Sequence, residues 1–276
     1  MHVELVDDPS VFLAATGGHL AASPARHNLI LSLAHARVAH PVPGRYAWAH
    51  DRGRVVAVAS QSPLTFPVVL GPGPRAGVVV LARALACVAP DAPGVTGEAP
   101  SASLFAGEWA TATRSRGAPR EALRLYRATR VRPPGGVRGH LRRAGAADLA
   151  TVTDWVGRFQ DEIGEPWPEG HIRYEAERLV AERELWCWDD DGLVAITSAT
   201  PVHEGVARVR HVYTPPERRR RGYAGACTAG VTAERLAAGA ESCVLFTQLT
   251  NPTSNAVYAR LGYRPIAEIL AYRFDR

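Results

Sequence analysis

The chain has 276 residues, 46% hydrophobic and 21% charged, enough apolar surface for one large or two ordinary cores and too little charge for a disordered chain. Its net charge of +5 rests on arginine alone, because lysine is absent; lysine Schiff-base chemistry and a Walker-type phosphate loop are thereby excluded. Cys87, Cys187, Cys227 and Cys243 lie far apart, which reads as free thiols rather than a zinc site, and no apolar run approaches a membrane span. Met1 is not followed by a signal peptide's basic and apolar regions, so a cytoplasmic protein without metal or membrane partner is expected.

In chain order, residues 1–44 read as helical, with Leu29, Ile30, Leu33 and Val38 forming an apolar face that Pro41-Val42-Pro43-Gly44 ends. Strands over 46–48 and 54–60 flank Asp51-Arg52-Gly53, a hairpin signal. A third strand over 64–70 stops at Gly71-Pro72-Gly73-Pro74. A helix over 76–89, a strand near Val95, a helix over 101–114 and a strand over 123–128 complete a domain expected at residues 1–132. Pro133-Pro134-Gly135-Gly136 marks a linker over 133–137.

Residues 138–276 then repeat that order. Helices are expected over 148–163 and 169–184, and a hairpin around Asp189-Asp190-Asp191-Gly192. A central strand over 206–213, a long helix from Tyr223, a strand over 244–248, a short helix over 254–261 and a last strand over 266–274 follow. Letters repeat too: Trp48…Gly53…Ala57…Ser60…Pro63 parallels Trp188…Gly192…Ala195…Ser198…Pro201. The expected fold is a mixed α/β (α+β) one with two tandem copies, each a mostly antiparallel central sheet flanked by helices.

The chemistry concentrates after the central strand. Pro215-Pro216 must end it, and Arg218-Arg219-Arg220-Arg221-Gly222 separates it from the helix that opens at Tyr223. A glycine-bearing basic loop at a helix N-terminus offers backbone N–H groups and the helix dipole to a phosphate. The spacing Arg219-x-x-Gly222-x-Ala224 is not the dinucleotide fingerprint. It resembles the [Q/R]-x-x-G-x-[G/A] loop of the GCN5-related N-acetyltransferases (GNAT), which wraps the pyrophosphate of coenzyme A. A second stretch, Asn251-Pro-Thr-Ser254-Asn255-Ala-Val-Tyr258-Ala-Arg-Leu-Gly262-Tyr263, is similar to that family's N-x-x-S-x-x-x-Y-x-x-x-G-[F/Y] segment. The resemblance covers residues 138–276, and the first half shares it only by pattern. In that half, prolines at 72 and 74 replace N–H donors, so a GNAT-like copy without the cofactor loop is expected there.

What the resemblance implies is an N-acetyltransferase in which an amine attacks the thioester of acetyl-CoA directly. Tyr258 then matches the general acid that protonates the leaving thiol. A backbone N–H of Val212, Tyr213 or Thr214 holds the oxyanion. The backbone of Arg219, Arg220, Arg221, Gly222, Tyr223, Ala224 and Gly225 binds pyrophosphate, and Asn251 and Asn255 touch the pantetheine arm or the acceptor. For the general base, Glu162 at the end of the 148–163 helix and His211, expected to titrate near neutrality, are candidates beside a water relay; Glu204 and Arg208 lie on or beside the same strand. A small-molecule or peptide amine is the expected acceptor, the protein a monomer or homodimer. Nucleic acid is not expected, because the remaining arginines are scattered. The competing class is a non-catalytic acyl-CoA sensor.

Overall fold

The structure, a computed structural model that describes residues 1–275, divides into two units. The first comprises Met1–Tyr126, Phe246–Pro252 and the residues from Pro265 onward; the second comprises Arg127–Leu245 and Thr253–Arg264.

The first unit contains β1 (His2–Val6), α1 (Pro9–Ala21), α2 (Pro24–Ala39), β2 (Arg45–Asp51), β3 (Arg54–Gln61), β4 (Val68–Leu70), α3 (Arg75–Val88), β5 (Gly94–Glu98), α4 (Ala99–Thr113) and β6 (Arg116–Ala128) as far as Tyr126. Neighbouring side chains of β2 and β3 point to opposite faces, and the sequence assigns each face a different bulk. Tyr46, Trp48 and Val58 pack with Phe12, Leu20, Ile30 and Leu31 of α1 and α2. Ala47, Ala49, Ala57 and Ala59 face the other way, where α3 and α4 supply Leu81, Leu85, Phe105 and Trp109. Small residues on the sheet let those large side chains reach it, and each fully buried leucine or phenylalanine contributes roughly 1.5–3 kcal/mol.

The second unit contains β7 (His140–Arg143), α5 (Leu149–Glu162), α6 (Glu169–Ala181), β8 (Leu185–Asp189), β9 (Leu193–Ala199), β10 (Val206–Tyr213), α7 (Tyr223–Ala237), the first residues of β11 (Ser242–Gln248), up to Leu245, and α8 (Pro252–Leu261) from Thr253. Val152, Trp155 and Val156 of α5 and Ala176 and Leu179 of α6 pack with Cys187, Ile196 and Tyr213 on one face of the sheet. Tyr223 and Cys227 of α7 pack with Val194 and Ala195. The last strand of the chain is β12 (Arg264–Asp275).

The two units repeat one topology. Strands run β1-β2-β3-β4-β5 in the first and β7-β8-β9-β10-β11 in the second. In each, successive neighbours are antiparallel until the final pair, β4–β5 and β10–β11, which is parallel. Even the hairpins match: Arg52 and Gly53, like Asp191 and Gly192, have two consecutive positive φ angles, the geometry that fits the twist of a tight hairpin. A register shift follows Ala49 in one copy and Trp188 in the other.

Three differences from the sequence-based elements have physical reasons. Residues 2–6 form a strand rather than helix, because β1 gains its backbone partners only from β2; five residues carry too short an alternation to show this. Basic residues 140–143 become β7 because Arg142 is held by Asp148 and Asp189 at 2.8 Å each. The last strand, expected within the 138–276 domain, clusters with the first unit from Pro265 and pairs antiparallel with β5 from Ile269–Glu98 to Arg273–Gly94. A Cβ at Gly94 would stand 2.0 Å from the Tyr272 carbonyl oxygen, so the missing side chain is what admits β12.

Candidate functional site

β10 carries an extra residue near its end. Arg210 pairs with Ser198 and Tyr213 with Ile196, so three steps on β10 match two on β9; His211, with φ +46°, absorbs the bulge. The parallel pairing with β11 covers Val206–Arg208, and β10 runs on past it to Tyr213.

Pro215 and Pro216 then stop the strand, and one 3-10 turn leads into the arginine loop. Arg220 (φ +62°) and Gly222 (φ +86°) are both left-handed, a curl that turns successive backbone amides to one side. Gly222 is the N-cap of α7, and no side chain caps that helix, so its first-turn N–H groups are open to a ligand. A Cβ on Gly222 would lie 2.9 Å from Val137 Cγ2, which adds a steric reason for glycine to the conformational one. The 133–137 segment, expected as linker, therefore passes beside the loop.

Tyr223 and Arg219 are tied by hydrogen bonds of their own. The Tyr223 hydroxyl donates to Asp190 Oδ2 at 2.5 Å. Arg219 donates from Nε to the Thr214 carbonyl at 2.8 Å and from Nη2 to Glu162 Oε1 at 2.5 Å; its guanidinium carbon lies 5.8 Å from the Tyr213 ring centroid. Arg219 thus latches the loop to β10 and to the end of α5, while Arg220 and Arg221 are exposed. Asp190 read only as a hairpin residue in the sequence, and nothing there marked its hold on Tyr223.

α8 sits beside the same helix end: a Cβ on Gly225 would be 3.6 Å from Val257 Cγ1. Tyr258 is buried, and burial pushes its hydroxyl above the ordinary phenol value. Its ring meets Tyr263 edge-on at 6.0 Å, and the Tyr263 hydroxyl shares a hydrogen bond with Thr232 of α7 at 2.7 Å. Gly262 (φ +103°) ends the helix, with Tyr263 N–H returning to the Tyr258 carbonyl. Asn255 is half-buried on α8, whereas Asn251 clusters with the first unit.

His211 departs from expectation. It is 2% exposed, and burial, reinforced by Arg210, lowers its pKa to about 3, so it does not titrate near neutrality. The ring bonds Ser198 Oγ through Nδ1 at 2.8 Å and meets Phe159 and Trp167 edge-on at 5.5 and 6.2 Å. A neutral hydrogen bond contributes only about 1 kcal/mol, too little to offset the cost of burying the charged ring. Glu204 lies in a turn (φ +47°) leading into β10.

Below the bulge lies a charge network of which the sequence spacing marks only the pairs within α6, such as Glu175 and Arg178 three residues apart. Burial pushes the Glu175 carboxyl up, but Arg210 and Arg178 outweigh it and hold it well below the usual range. Arg178 donates to both Glu175 oxygens at 3.0 Å and to Glu184 at 3.1 Å, and Arg210 reaches Glu175 at 2.7 Å. Arg208 Nε, Gln160 Oε1 and Thr214 Oγ1 are among the buried polar atoms that have no partner among the described residues.

In the first unit, the corresponding loop is closed. Gly71 N–H is spent on the Val58 carbonyl at 2.9 Å, α3 has Pro74 as its N-cap, and a Cβ on Gly73 would meet Ala57 at 2.9 Å. That loop lies flush on β3 and presents no comparable row of amides.

Residues 150–263 match the family model described as Acetyltransferase (GNAT) family. Among solved structures, an acetyltransferase of the GNAT family from Colwellia psychrerythraea is 12% identical over 100% of both chains, with TM-score 0.64. A GCN5-related N-acetyltransferase from Sphaerobacter thermophilus is 15% identical over 98% of this chain and 95% of its own, with TM-score 0.64. A tandem GNAT protein from the clavulanic acid biosynthesis pathway is 15% identical over 99% and 98%, with TM-score 0.59. At these identities the likeness is one of fold. No curated protein matches the chain. No described helix is long and apolar enough to cross a membrane, and no described group of three histidine, cysteine or acidic side chains is arranged to hold a metal. Residues 150–263 therefore match the GNAT acetyltransferase model, and the chain as a whole shares its fold with solved GNAT structures, a tandem one among them.

Proposed function

We propose that the second unit transfers an acyl group, in the first instance acetyl from acetyl-CoA, to an amine, while the first unit has given up the cofactor loop. The fold is one used for acyl transfer; fold alone does not define a reaction. The observation that carries the reading is the uncapped N-terminus of α7 behind the left-handed Gly222, with Tyr258 buried on the adjacent α8.

In this reading the pyrophosphate accepts from the backbone N–H groups of Arg219 to Gly225, while exposed Arg220 and Arg221 neutralise further phosphate charge. Arg219 holds the loop in shape. The thioester carbonyl lies at the β10 bulge, where an N–H of Val212 to Thr214 stabilises the oxyanion. The neutral amine attacks the carbonyl carbon, forming the C–N bond; collapse breaks the C–S bond, and the departing sulfur takes the Tyr258 proton. Burial keeps that hydroxyl protonated at neutral pH, as an acid must be before the step. The proton lost by the nitrogen goes through solvent to Glu162, which is exposed at the end of α5, whereas His211 is buried away from solvent.

The test is Tyr258→Phe, assayed with the best amine from a screen. Turnover should fall by about 10²–10⁴-fold while acetyl-CoA affinity stays within about twofold. Unchanged turnover would remove Tyr258 from the chemistry.

A further inference from the structure

Resting on the acyl-transfer reading, a deeper assignment concerns the acceptor. Arg208 sits on β10, two residues from Arg210 and so on the same face of the strand, the face that α5 and α6 cover. It is the last β10 residue paired with β11. The residue is 9% exposed, and its Nε is buried without a hydrogen-bond partner among the described residues. The neighbouring buried acids are already engaged, Glu175 by Arg178 and Arg210 and Glu184 by Arg178.

A guanidinium with a buried, unpartnered Nε–H is costly, because that donor has left water without a replacement and the group does not lose its charge readily. Burial, with Arg210 nearby, lowers its pKa to about 9, which still leaves it charged at neutral pH. Proteins keep such a group where an anion comes to meet it. A second orphan complements it. Gln160 continues the buried series Val152, Trp155 and Val156 of α5 toward the sheet, and its Oε1 is an unpartnered acceptor. One face of this sheet therefore offers an unpaired cationic donor and an unpaired neutral acceptor.

We infer that the acceptor of this unit is an amine that also carries a carboxylate, with Arg208 binding the carboxylate and Gln160 Oε1 taking an N–H. The site then selects amino acids or short peptides over simple alkylamines. It lies at the strand whose bulge is assigned to the thioester, so the carboxylate fixes which amine reaches the carbonyl.

The experiment is thermal unfolding and calorimetric binding of the full chain with ω-amino acids from glycine to 6-aminohexanoate. Each is compared with its matched alkylamine, in wild type and Arg208→Met. The expected result is that at least one amino acid binds and its alkylamine is about ten- to a hundredfold weaker, the range for one hydrogen bond to a charged group. Arg208→Met should erase that preference and, without ligand, melt no lower than wild type, since it removes an unpaired buried charge. A lower melting temperature would mean that Arg208 is structural, and equal binding of acids and amines, or of none, would also overturn the inference. Acetyl-CoA titrated into the same samples separates the two readings. Carboxylate selectivity without acetyl-CoA binding would sink acyl transfer and leave the Arg208 site standing.

Discussion

Replacing His211 by Asn tests the buried bulge through its pH dependence. Asparagine suits the left-handed φ of +46° better than most residues and still offers Ser198 a partner. In the wild type the folded-state pKa of about 3 lies below the ordinary histidine value of 6.5. Between these values the unfolded chain binds the extra proton, so this histidine contributes stability above pH 6.5 that is lost as pH falls toward 3. Between pH 7.5 and pH 5 the linkage amounts to about 2 kcal/mol. His27, lowered by burial to about 4, contributes a similar loss of about 2 kcal/mol over the same interval and is retained in the variant. Glu175, whose carboxyl is held low in the fold, loses its share only nearer the ordinary carboxylate range, so pH 5 isolates the histidines. Urea unfolding at the two pH values should show the drop shrinking by about 2 kcal/mol in His211→Asn. An identical drop in both proteins would refute the claim that His211 is buried and neutral.

Glu175→Gln should destabilise the protein by about 3–5 kcal/mol, the cost of breaking a buried pair from one side, because Arg178 and Arg210 both lean on that carboxylate; a loss under about 1 kcal/mol in urea unfolding would contradict the network. Of the four free cysteines, only Cys87 is exposed, and burial pushes the thiols of Cys187, Cys227 and Cys243 up to about 12. A thiol reagent should therefore modify Cys87 alone in the native protein and reach the other three on denaturation.

What the sequence disclosed was whatever local chemistry writes down. Pro215-Pro216 had to end a strand, Asp-x-Gly hairpins had to turn, and Gly262 had to stop a helix, so the loop and α8 were readable. The tandem arrangement was readable because both copies keep the same hairpin and order of elements. Long-range partners left no such trace. His211 looked like an ordinary titratable residue because nothing in its neighbours announces Ser198, Phe159 and Trp167 around it. The charge network joins Glu175, Arg178, Glu184 and Arg210 across a helix, a turn and a strand, and alternation along β10 alone could not pair them. The placing of β12 beside β5 had one cue, Gly94, whose lack of a side chain acquires meaning only once Tyr272 lies against it.

The central claim, that the second unit alone holds acyl-CoA on the amides of the arginine loop, is tested most directly by calorimetric titration with acetyl-CoA of wild type and Ala224→Pro. Proline in the first turn removes one N–H donor while suiting the helix start. The account predicts one site per chain, and a Kd weakened by about tenfold or more in the variant with little change in melting temperature. Two sites per chain would contradict the closed loop at Gly71–Pro74, and equal affinity in the variant would contradict the amide cradle itself.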